Sequence, residues 1–299
     1  MSATEASASK PILVFQTDFT YAEGAVSSMY GVVKSVDRTL EIFDGTHYIP
    51  KFDTWSASYR LYQSLPFWPV GTIYVSVVDP GVGTSRRACV ARTSGGHYVV
   101  TPDNGSLTHL ARYVGIEEVR QIDERTNRLP GTRGTSVFAG RDVFGYTAAR
   151  LASGAITWEE VGPRYPVEEV VVHDFSEPAI RDGSVVGIVE IVDPNFGNAW
   201  TSIPVALLCE LDVTYGDLLR VEICHAGESV YRGVVPFVRS FGMVGKGDPL
   251  AYANEVMKVA FALGQGSFVA RTGVGFGPEW TVHVAASLEI RCAGSIEIV

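Results

Sequence analysis

A loop whose residue types could do chemistry follows an apolar run in the first half of the chain. Residues 72–76 predict a buried strand, after which the sequence reads Val77-Val78-Asp79-Pro80-Gly81-Val82-Gly83-Thr84-Ser85-Arg86-Arg87. The proline fixes φ and ends the strand, whereas the two glycines allow a sharp bend or a close approach to a ligand. An acid, a pliable turn and a cation at a strand end favour a functional site. The alternative is a tight turn with a surface Asp–Arg pair.

Two further acids follow predicted strands. Short apolar runs at residues 12–15 and 40–43 are typical of buried parallel strands, and they lead to Asp18 and Asp44. Apolar residues at helical spacing follow these runs, over residues 26–36 and 55–62. This β-α-β order predicts an α/β domain with a mostly parallel, doubly wound sheet and right-handed crossovers. Because ligands bind beyond the carboxyl ends of such strands, all three acids are candidate site residues.

The rest of the first half predicts a hairpin and two helices. The hairpin joins residues 89–92 and 97–100 about Gly95-Gly96, and the helices lie near residues 107–114 and 144–151. Gly115 and Gly154 end these helices.

The pattern changes to short alternating runs after residues 162–166, which predicts an all-β barrel or sandwich. The predicted strands are at residues 184–191, 218–224, 230–235, 280–284 and 288–290. Loops are predicted at 193–200 and 241–247, and one helix near 252–256. We therefore expect a disordered tail over residues 1–10, an α/β domain over 11–170 and a β-barrel domain over 171–299.

Composition excludes several classes of function. The chain is 46% hydrophobic and 19% charged, as expected of a globular protein. A net charge of −9, with no run of lysine or arginine, argues against nucleic acid or an anionic membrane as partner. No apolar stretch reaches the roughly 20 residues of a membrane span. The first ten residues lack the basic start and apolar middle of a signal peptide, so a cytoplasmic protein is expected.

Cysteine and histidine spacing gives no sign of a disulfide framework or of a metal site. The four cysteines at positions 89, 209, 224 and 292 are widely scattered, so reduced and mostly buried thiols are expected. The six histidines form no His-x-x-x-His pair, and we predict no bound metal.

Common nucleotide and hydrolase motifs are missing. No glycine fingerprint follows the first strand, which disfavours NAD. The Asp79 loop lacks the lysine of a phosphate loop, and Gly-x-Ser-x-Gly does not occur. ATP hydrolysis and serine-hydrolase chemistry are therefore disfavoured.

The motifs that remain, taken in order, resemble the family of S-adenosylmethionine (SAM) hydrolases, also called SAM hydroxide adenosyltransferases, which includes fluorinase and chlorinase. They are Thr17-Asp18-Phe19, Asp44-Gly45-Thr46-His47-Tyr48-Ile49-Pro50, the Asp79 loop, Pro102-Asp103-Asn104-Gly105, Phe138-Ala139-Gly140-Arg141-Asp142 and Asp193-Pro194-Asn195-Phe196-Gly197-Asn198-Ala199-Trp200. The resemblance runs from about residue 11 to the C-terminus. It implies an α/β domain, a β-barrel domain, and homotrimers or dimers of trimers with active sites between subunits.

The resemblance also implies roles for residues that contact the substrate SAM. Asp18 matches the carboxylate that grips both ribose hydroxyls, whereas the alternative is a helix N-cap. Phe52 matches an aromatic residue near the ribose and C5′, whereas the alternative is ordinary core. The resemblance implies further contacts in both halves of the chain. In the first half they are Phe138 and Gly140, on either side of Ala139. In the second half, the implied contacts to adenine or methionine are Asp193, Phe196, Asn198, Phe241, Glu255 and Gln265. A turn rich in Asp, Asn and Gly is the alternative for residues 193–198.

For catalysis, the resemblance implies that Asp79 and Arg86 orient a water molecule for attack on C5′ of SAM, which yields adenosine and L-methionine without a cofactor. The family usually has a histidine at the position of Ala139, and a methyl group cannot hydrogen-bond a water. His47 and His109 are the candidates to replace it.

Three alternatives remain open. A chlorinase-like halide adenosyltransferase is one, although a carboxylate at position 79 would repel a halide. A SAM- or adenosine-binding protein with little catalysis is the second, because of Ala139. A phosphate-handling enzyme that uses Arg86 and Arg87 is the third.

Overall fold

The computed structural model describes residues 10–287, which form parts of two compact units with their boundary between His173 and Asp174. Among the described residues, no helix is long and apolar enough to cross a membrane. The expected tail (apart from Lys10), the expected strand at 288–290 and Cys292 lie outside the described residues.

The first unit is built on a seven-stranded sheet. Its strands are β1 (Leu13–Thr17), β2 (Ile42–Thr46), β3 (Ile73–Val77), β4 (Ala88–Thr93), β5 (Tyr98–Pro102), β6 (Ile116–Gln121) and β7 (Arg164–Tyr165). Its helices are α1 (Ala25–Val36), α2 (Thr54–Ser64), α3 (Thr108–Tyr113) and α4 (Tyr146–Ser153), the last preceded by a π-helical turn, Gly140–Gly145. The strand order is β2-β1-β3-β5-β4-β6-β7.

The sheet is parallel where the candidate acids lie, although Asp44 lies inside β2 and not beyond its end as predicted. Strands β2, β1, β3 and β5 run parallel, which confirms the α/β prediction. Strands β4, β6 and β7 add an antiparallel extension, which begins at the predicted Gly95-Gly96 hairpin. Thr17 pairs with Val77 in register, so Asp18 and Asp79 follow neighbouring strands at the same edge.

Helices cover both faces of this sheet because consecutive strand residues point to opposite sides. One buried cluster takes Phe15 and Val75 from the strands, and it includes residues of α1 and α4. The other takes Val14 and Tyr74 and includes residues of α2 and α3. The observed core therefore has the two-sided arrangement that the apolar strands predict.

Asp53 begins α2 directly after the candidate residue Phe52, and its carboxylate accepts a hydrogen bond from Ser56 N at 2.9 Å. Replacing this N-cap with alanine leaves that main-chain donor without its partner. We expect Asp53→Ala to lower the free energy of unfolding by about 1 kcal/mol, measured by urea denaturation. The exposed Asp174, changed to alanine as a control, removes a charge without removing a cap. Equal stability of the two variants would contradict this role.

The second unit is a nearly closed, antiparallel barrel. Its strands are β8 (Ala179–Arg181), β9 (Ser184–Val192), β10 (Ala199–Pro204), β11 (Leu218–His225), β12 (Glu228–Pro236), β13 (Pro249–Ala253), β14 (Lys258–Leu263) and β15 (Trp280–Ala286), with helices α5 (Val205–Cys209) and α6 (Phe268–Thr272). The order is β12-β11-β15-β9-β10-β14-β13, with β8 beside β9. Val238 N, just beyond β12, donates to Ala251 O of β13 at 2.9 Å and links the two ends of this order. The barrel prediction is confirmed.

One prediction in this unit is wrong. The helix expected near residues 252–256 is the end of β13 followed by a turn, in which Met257 has a positive φ of 58°. The loop expected over 193–200 is also shorter, because β10 begins at Ala199.

The described cysteines are free thiols, as expected. Cys89 and Cys224 are buried and Cys209 is exposed. Burial raises the pKa of the Cys89 thiol to about 12, so this group is protonated at neutral pH.

Candidate active site

The Asp79 loop closes on itself through an ion pair. Arg86 Nε donates to both carboxylate oxygens of Asp79, at 2.9 and 3.1 Å, and the terminal Nη2 donates as well. The two side chains are only 6% and 13% exposed, so the pair is largely withdrawn from solvent. A Cβ on Gly81 would lie 3.2 Å from Arg86 Cγ, which shows how closely the turn folds the arginine back. Charge-assisted bonds of this kind fix the orientation of the carboxylate.

Neighbouring segments hold this loop in place. Gly83 has φ of +79°, a left-handed conformation that a glycine adopts readily. Asn104 Nδ2 donates to Val78 O at 2.9 Å, which ties the loop to the chain beyond β5. The Arg86 guanidinium lies 5.2 Å from the ring centre of Phe144, in the π-helical turn. These contacts therefore hold the loop that carries the Asp79 carboxylate in one conformation.

Arg87 faces a different set of groups from Arg86. Its Nη2 donates to Glu169 at 2.6 Å, and its guanidinium lies 4.4 Å from the ring centre of Tyr165. Asp103 is 3.9 Å from its other terminal nitrogen. Since each arginine is paired with its own carboxylate, the two do not form a shared phosphate site, and the geometry does not favour that alternative.

Asp18 holds the neighbouring loop that carries Phe52. Its Oδ2 accepts a hydrogen bond from Phe52 N at 2.9 Å. Phe52 has φ of +65° and its side chain is 67% exposed. A positive φ is unfavourable for a bulky residue, and strained backbone conformations of this kind concentrate at functional sites. The N-cap of α1 is Gly24. The N-cap alternative for Asp18 and the core alternative for Phe52 are therefore both wrong.

Phe138 and Gly140 pack together at the start of the π-helical turn. A Cβ on Gly140 would lie 3.3 Å from ring atoms of both Phe19 and Phe138, so a larger residue would displace an aromatic ring. The Phe19 and Phe138 rings meet edge to face at 5.9 Å. Ala139, which lies between Phe138 and Gly140 in sequence, is buried.

The two histidines considered as replacements are both engaged elsewhere. His47 Nδ1 lies 2.8 Å from Thr17 Oγ1, and His109 Nδ1 lies 3.0 Å from Ser58 Oγ. Both rings are fully buried. Burial lowers the pKa of His47 below its ordinary value, an effect that the nearby Asp44 carboxylate opposes. These contacts place His47 against the end of β1 and His109 against α2.

The second unit has a cavity of about 530 Å³. Four of the expected site residues line it: Phe196, Asn198, Phe241 and Gln265. Its other lining residues are Asn195, Leu263, Gly266 and Ser267. Phe196 and Phe241 are large, exposed aromatic side chains at 70% and 43%. Two exposed rings together with amide side chains suit a flat, nitrogen-rich ligand.

Asp193 and Glu255 are not among the described residues that line this cavity. Asp193 Oδ1 accepts from Asn195 N at 2.9 Å and from Phe196 N at 3.2 Å, so it shapes the turn that presents both residues. Glu255 is exposed, in the turn between β13 and β14. These hydrogen bonds are those of the turn expected over residues 193–198, and a binding role for Phe196 and Asn198 stays a prediction.

Sequence reasoning missed Tyr252 and Ser267. The Tyr252 ring lies 4.8 Å from that of Phe241, and its hydroxyl accepts a hydrogen bond from Trp200 Nε1 at 2.9 Å. Burial raises the pKa of Tyr252 to about 12. Ser267 caps α6 by accepting from Ala270 N at 3.1 Å. The serine could have been found as an N-cap signal, whereas the tyrosine lay in the segment predicted as a helix.

Within the described residues, no cluster of three or more His, Cys, Asp or Glu side chains could hold a metal ion.

Comparison with known proteins gives consistent matches over both units. A family model described as the SAM hydroxide adenosyltransferase N-terminal domain matches residues 13–162, and the corresponding C-terminal domain model matches residues 187–281. A Salinispora tropica protein named (R)-S-adenosyl-L-methionine hydrolase is 34% identical over 268 residues, covering 88% of this chain and 94% of the relative. A fluorinase from Actinopolyspora mzabensis is 25% identical, covering 83% and 88%. The crystal structure of an uncharacterized conserved protein from Thermotoga maritima matches with a TM-score of 0.84 at 31% identity, covering 92% and 100%.

Proposed function

Because the chain belongs to the SAM hydroxide adenosyltransferase family, we propose that it is an enzyme that hydrolyses SAM to adenosine and L-methionine. The observation that carries this proposal is the withdrawn Asp79–Arg86 pair at the carboxyl end of β3. A carboxylate held in one orientation by an arginine can accept a hydrogen bond from a water and take its proton late in the reaction.

The chemistry asks little beyond this alignment. The sulfonium of SAM leaves as a neutral thioether, so no acid is needed to protonate sulfur and the proposed reaction needs no cofactor. Water attacks C5′ in line with the C5′–S bond, the C5′–O bond forms as C5′–S breaks, and one proton is lost to Asp79. Holding the reactants in that line can supply much of the rate enhancement.

The remaining site residues bind the substrate in this proposal. Asp18 accepts hydrogen bonds from the ribose hydroxyls, with Phe52, Phe138 and Gly140 beside the ribose and C5′. The cavity of the second unit, which includes Phe241 and Gln265, takes the adenine and methionine ends. The expected assembly, a homotrimer with active sites between subunits, is part of the proposal.

Asp79 also separates the proposed activity from halide transfer. Some matched relatives are fluorinases, which the name identifies with a halide nucleophile. A carboxylate at the nucleophile's position would repel a halide and attract a water hydrogen. We therefore infer that water is the nucleophile.

The test follows the fate of labelled water. Purified protein is incubated with SAM in H₂¹⁸O, with and without chloride, and the products are separated by chromatography and weighed by mass spectrometry. We expect adenosine that carries ¹⁸O at its 5′-hydroxyl, because water attacks C5′. 5′-Chloro-5′-deoxyadenosine as the main product in chloride would replace hydrolysis by halide transfer, and intact SAM would contradict the enzyme assignment.

The configuration at sulfur is a finer part of the proposal. The matched hydrolases are named for (R)-S-adenosyl-L-methionine, which supports the R epimer as the substrate here. Running the same assay with each epimer separately tests this inference. Preferential consumption of the S epimer would contradict it.

A further inference from the structure

The segment that carries Asp18 is tied to His47 on both sides. Phe19 N donates to Thr17 Oγ1 at 3.1 Å, and that hydroxyl lies 2.8 Å from His47 Nδ1. On the other side, Thr20 N donates to the main-chain oxygen of His47 at 2.8 Å. Asp18 therefore stands between two residues whose contacts both lead to this histidine.

The far side of the ring is fixed as well. His47 Nε2 lies 2.9 Å from the Tyr30 hydroxyl in α1 and 3.2 Å from Asp44 Oδ1. The hydroxyls of Tyr30 and Tyr21 both donate to Asp44, and the Tyr21 ring meets the imidazole edge to face at 4.9 Å. The ring therefore cannot rotate without breaking bonds to elements on either side.

The bonds assign one protonation pattern to this network. His47 and Thr17 are fully buried, which favours the neutral imidazole. The Asp44 carboxylate can only accept, so it places the ring proton on Nε2 and leaves Nδ1 as an acceptor. Thr17 then donates its hydroxyl proton to Nδ1 while its oxygen accepts from Phe19 N. Every donor of this hydrogen-bond network then has an acceptor.

We propose that His47 is a positioning residue that orients Asp18 for its grip on the ribose, acting through the Thr17 hydroxyl and through its own carbonyl oxygen. The inference rests on the proposed function, in which Asp18 receives the ribose hydroxyls. A carboxylate that must face two hydroxyls at once depends on the angle of its main chain, because small errors in placement weaken both bonds.

The test compares the protein's affinity for adenosine with its affinity for 2′,3′-dideoxyadenosine, which lacks the 2′- and 3′-hydroxyls of the ribose. We expect the wild-type protein to prefer adenosine by at least about 100-fold, the lower bound for two hydrogen bonds to a charged group. His47→Leu and Thr17→Val should reduce this preference to about 10-fold or less, with the affinity for the dideoxynucleoside little changed. His47→Asn, whose amide oxygen can take the place of Nδ1, should restore part of it.

His97 provides a matched control. It is another buried histidine of the first unit, and its Nε2 bonds Trp68 O at 2.9 Å at the end of the β4–β5 hairpin. His97→Leu removes the same kind of buried ring bond away from the Asp18 segment, so it should keep the wild-type preference.

The outcomes separate this inference from the proposed function. A folded His47→Leu protein with the wild-type preference would overturn the inference. If that variant does not fold, Thr17→Val, which keeps the branched shape, decides in the same way. A wild-type protein without any preference for adenosine also overturns it. Failure of the wild type to hydrolyse SAM, with the preference and its loss both observed, contradicts only the proposed function.

Discussion

The Asp79→Asn variant should lose about 10²–10⁴-fold in kcat for SAM hydrolysis, with KM little changed. Asparagine keeps the shape of the side chain, but its amide can neither take a proton nor balance the Arg86 guanidinium. In the proposed mechanism Asp79 contacts the attacking water, so ground-state binding of SAM survives. The effect should therefore fall on kcat.

A second Asp–Arg pair on the same unit provides the control. Arg125 donates to Asp123 through Nε at 2.9 Å and Nη2 at 2.8 Å, much as Arg86 does to Asp79, but this arginine is 88% exposed. Asp123→Asn breaks a pair of similar geometry and should leave turnover unchanged. Initial rates are measured by chromatography, and circular dichroism checks that both variants fold. A folded Asp79→Asn enzyme within threefold of the wild-type kcat contradicts the proposed role.

The Asp79 loop was predictable because its signals are local. A buried strand, a proline and two glycines stand next to one another, and they dictate a tight turn at the strand's end whatever the rest of the fold does. The β-α-β order then places Asp18 at the same edge, because parallel strands share their direction. The resemblance already selects Arg86 rather than Arg87 as the partner of Asp79. The partner of Arg87 needed the structure, since Glu169 is 82 residues away in sequence.

The antiparallel extension of the sheet was not predictable from local signals. The hairpin at Gly95-Gly96 was visible, but nothing near it shows that β4 pairs with β6 on its other side. Such pairing depends on residues far apart in sequence.

The errors in the second unit have a similar cause. Residues 249–253 are a short apolar run, and helix and strand cannot be told apart by periodicity over that length. Tyr252 was missed for this reason. His47 was visible as part of the Asp44–Pro50 motif, but its contacts were not, because its partners Thr17 and Tyr30 are 30 and 17 residues away.

Ala139→His should raise kcat for SAM hydrolysis by about 10-fold. The resemblance places a histidine at this position, between an aromatic residue and a glycine that the chain retains as Phe138 and Gly140. A neutral imidazole can accept a hydrogen bond from the attacking water, which a methyl group cannot do. Because Asp79 already serves the water, we expect only part of the full benefit of a general base, which reaches 10²–10⁴-fold.

The pH profile tests the reason for this gain. Only the neutral ring accepts a hydrogen bond, so the activity of Ala139→His should rise with pH through about 6.5, a limb that the wild type lacks. Ala139 is 6% exposed and packs in the core cluster, so Ala139→Leu controls for the added bulk at this buried site. The leucine variant should show neither the gain nor the limb. If a folded Ala139→His variant has the same kcat as Ala139→Leu, the missing imidazole does not limit turnover. Little SAM hydrolysis by both variants would favour a SAM- or adenosine-binding protein.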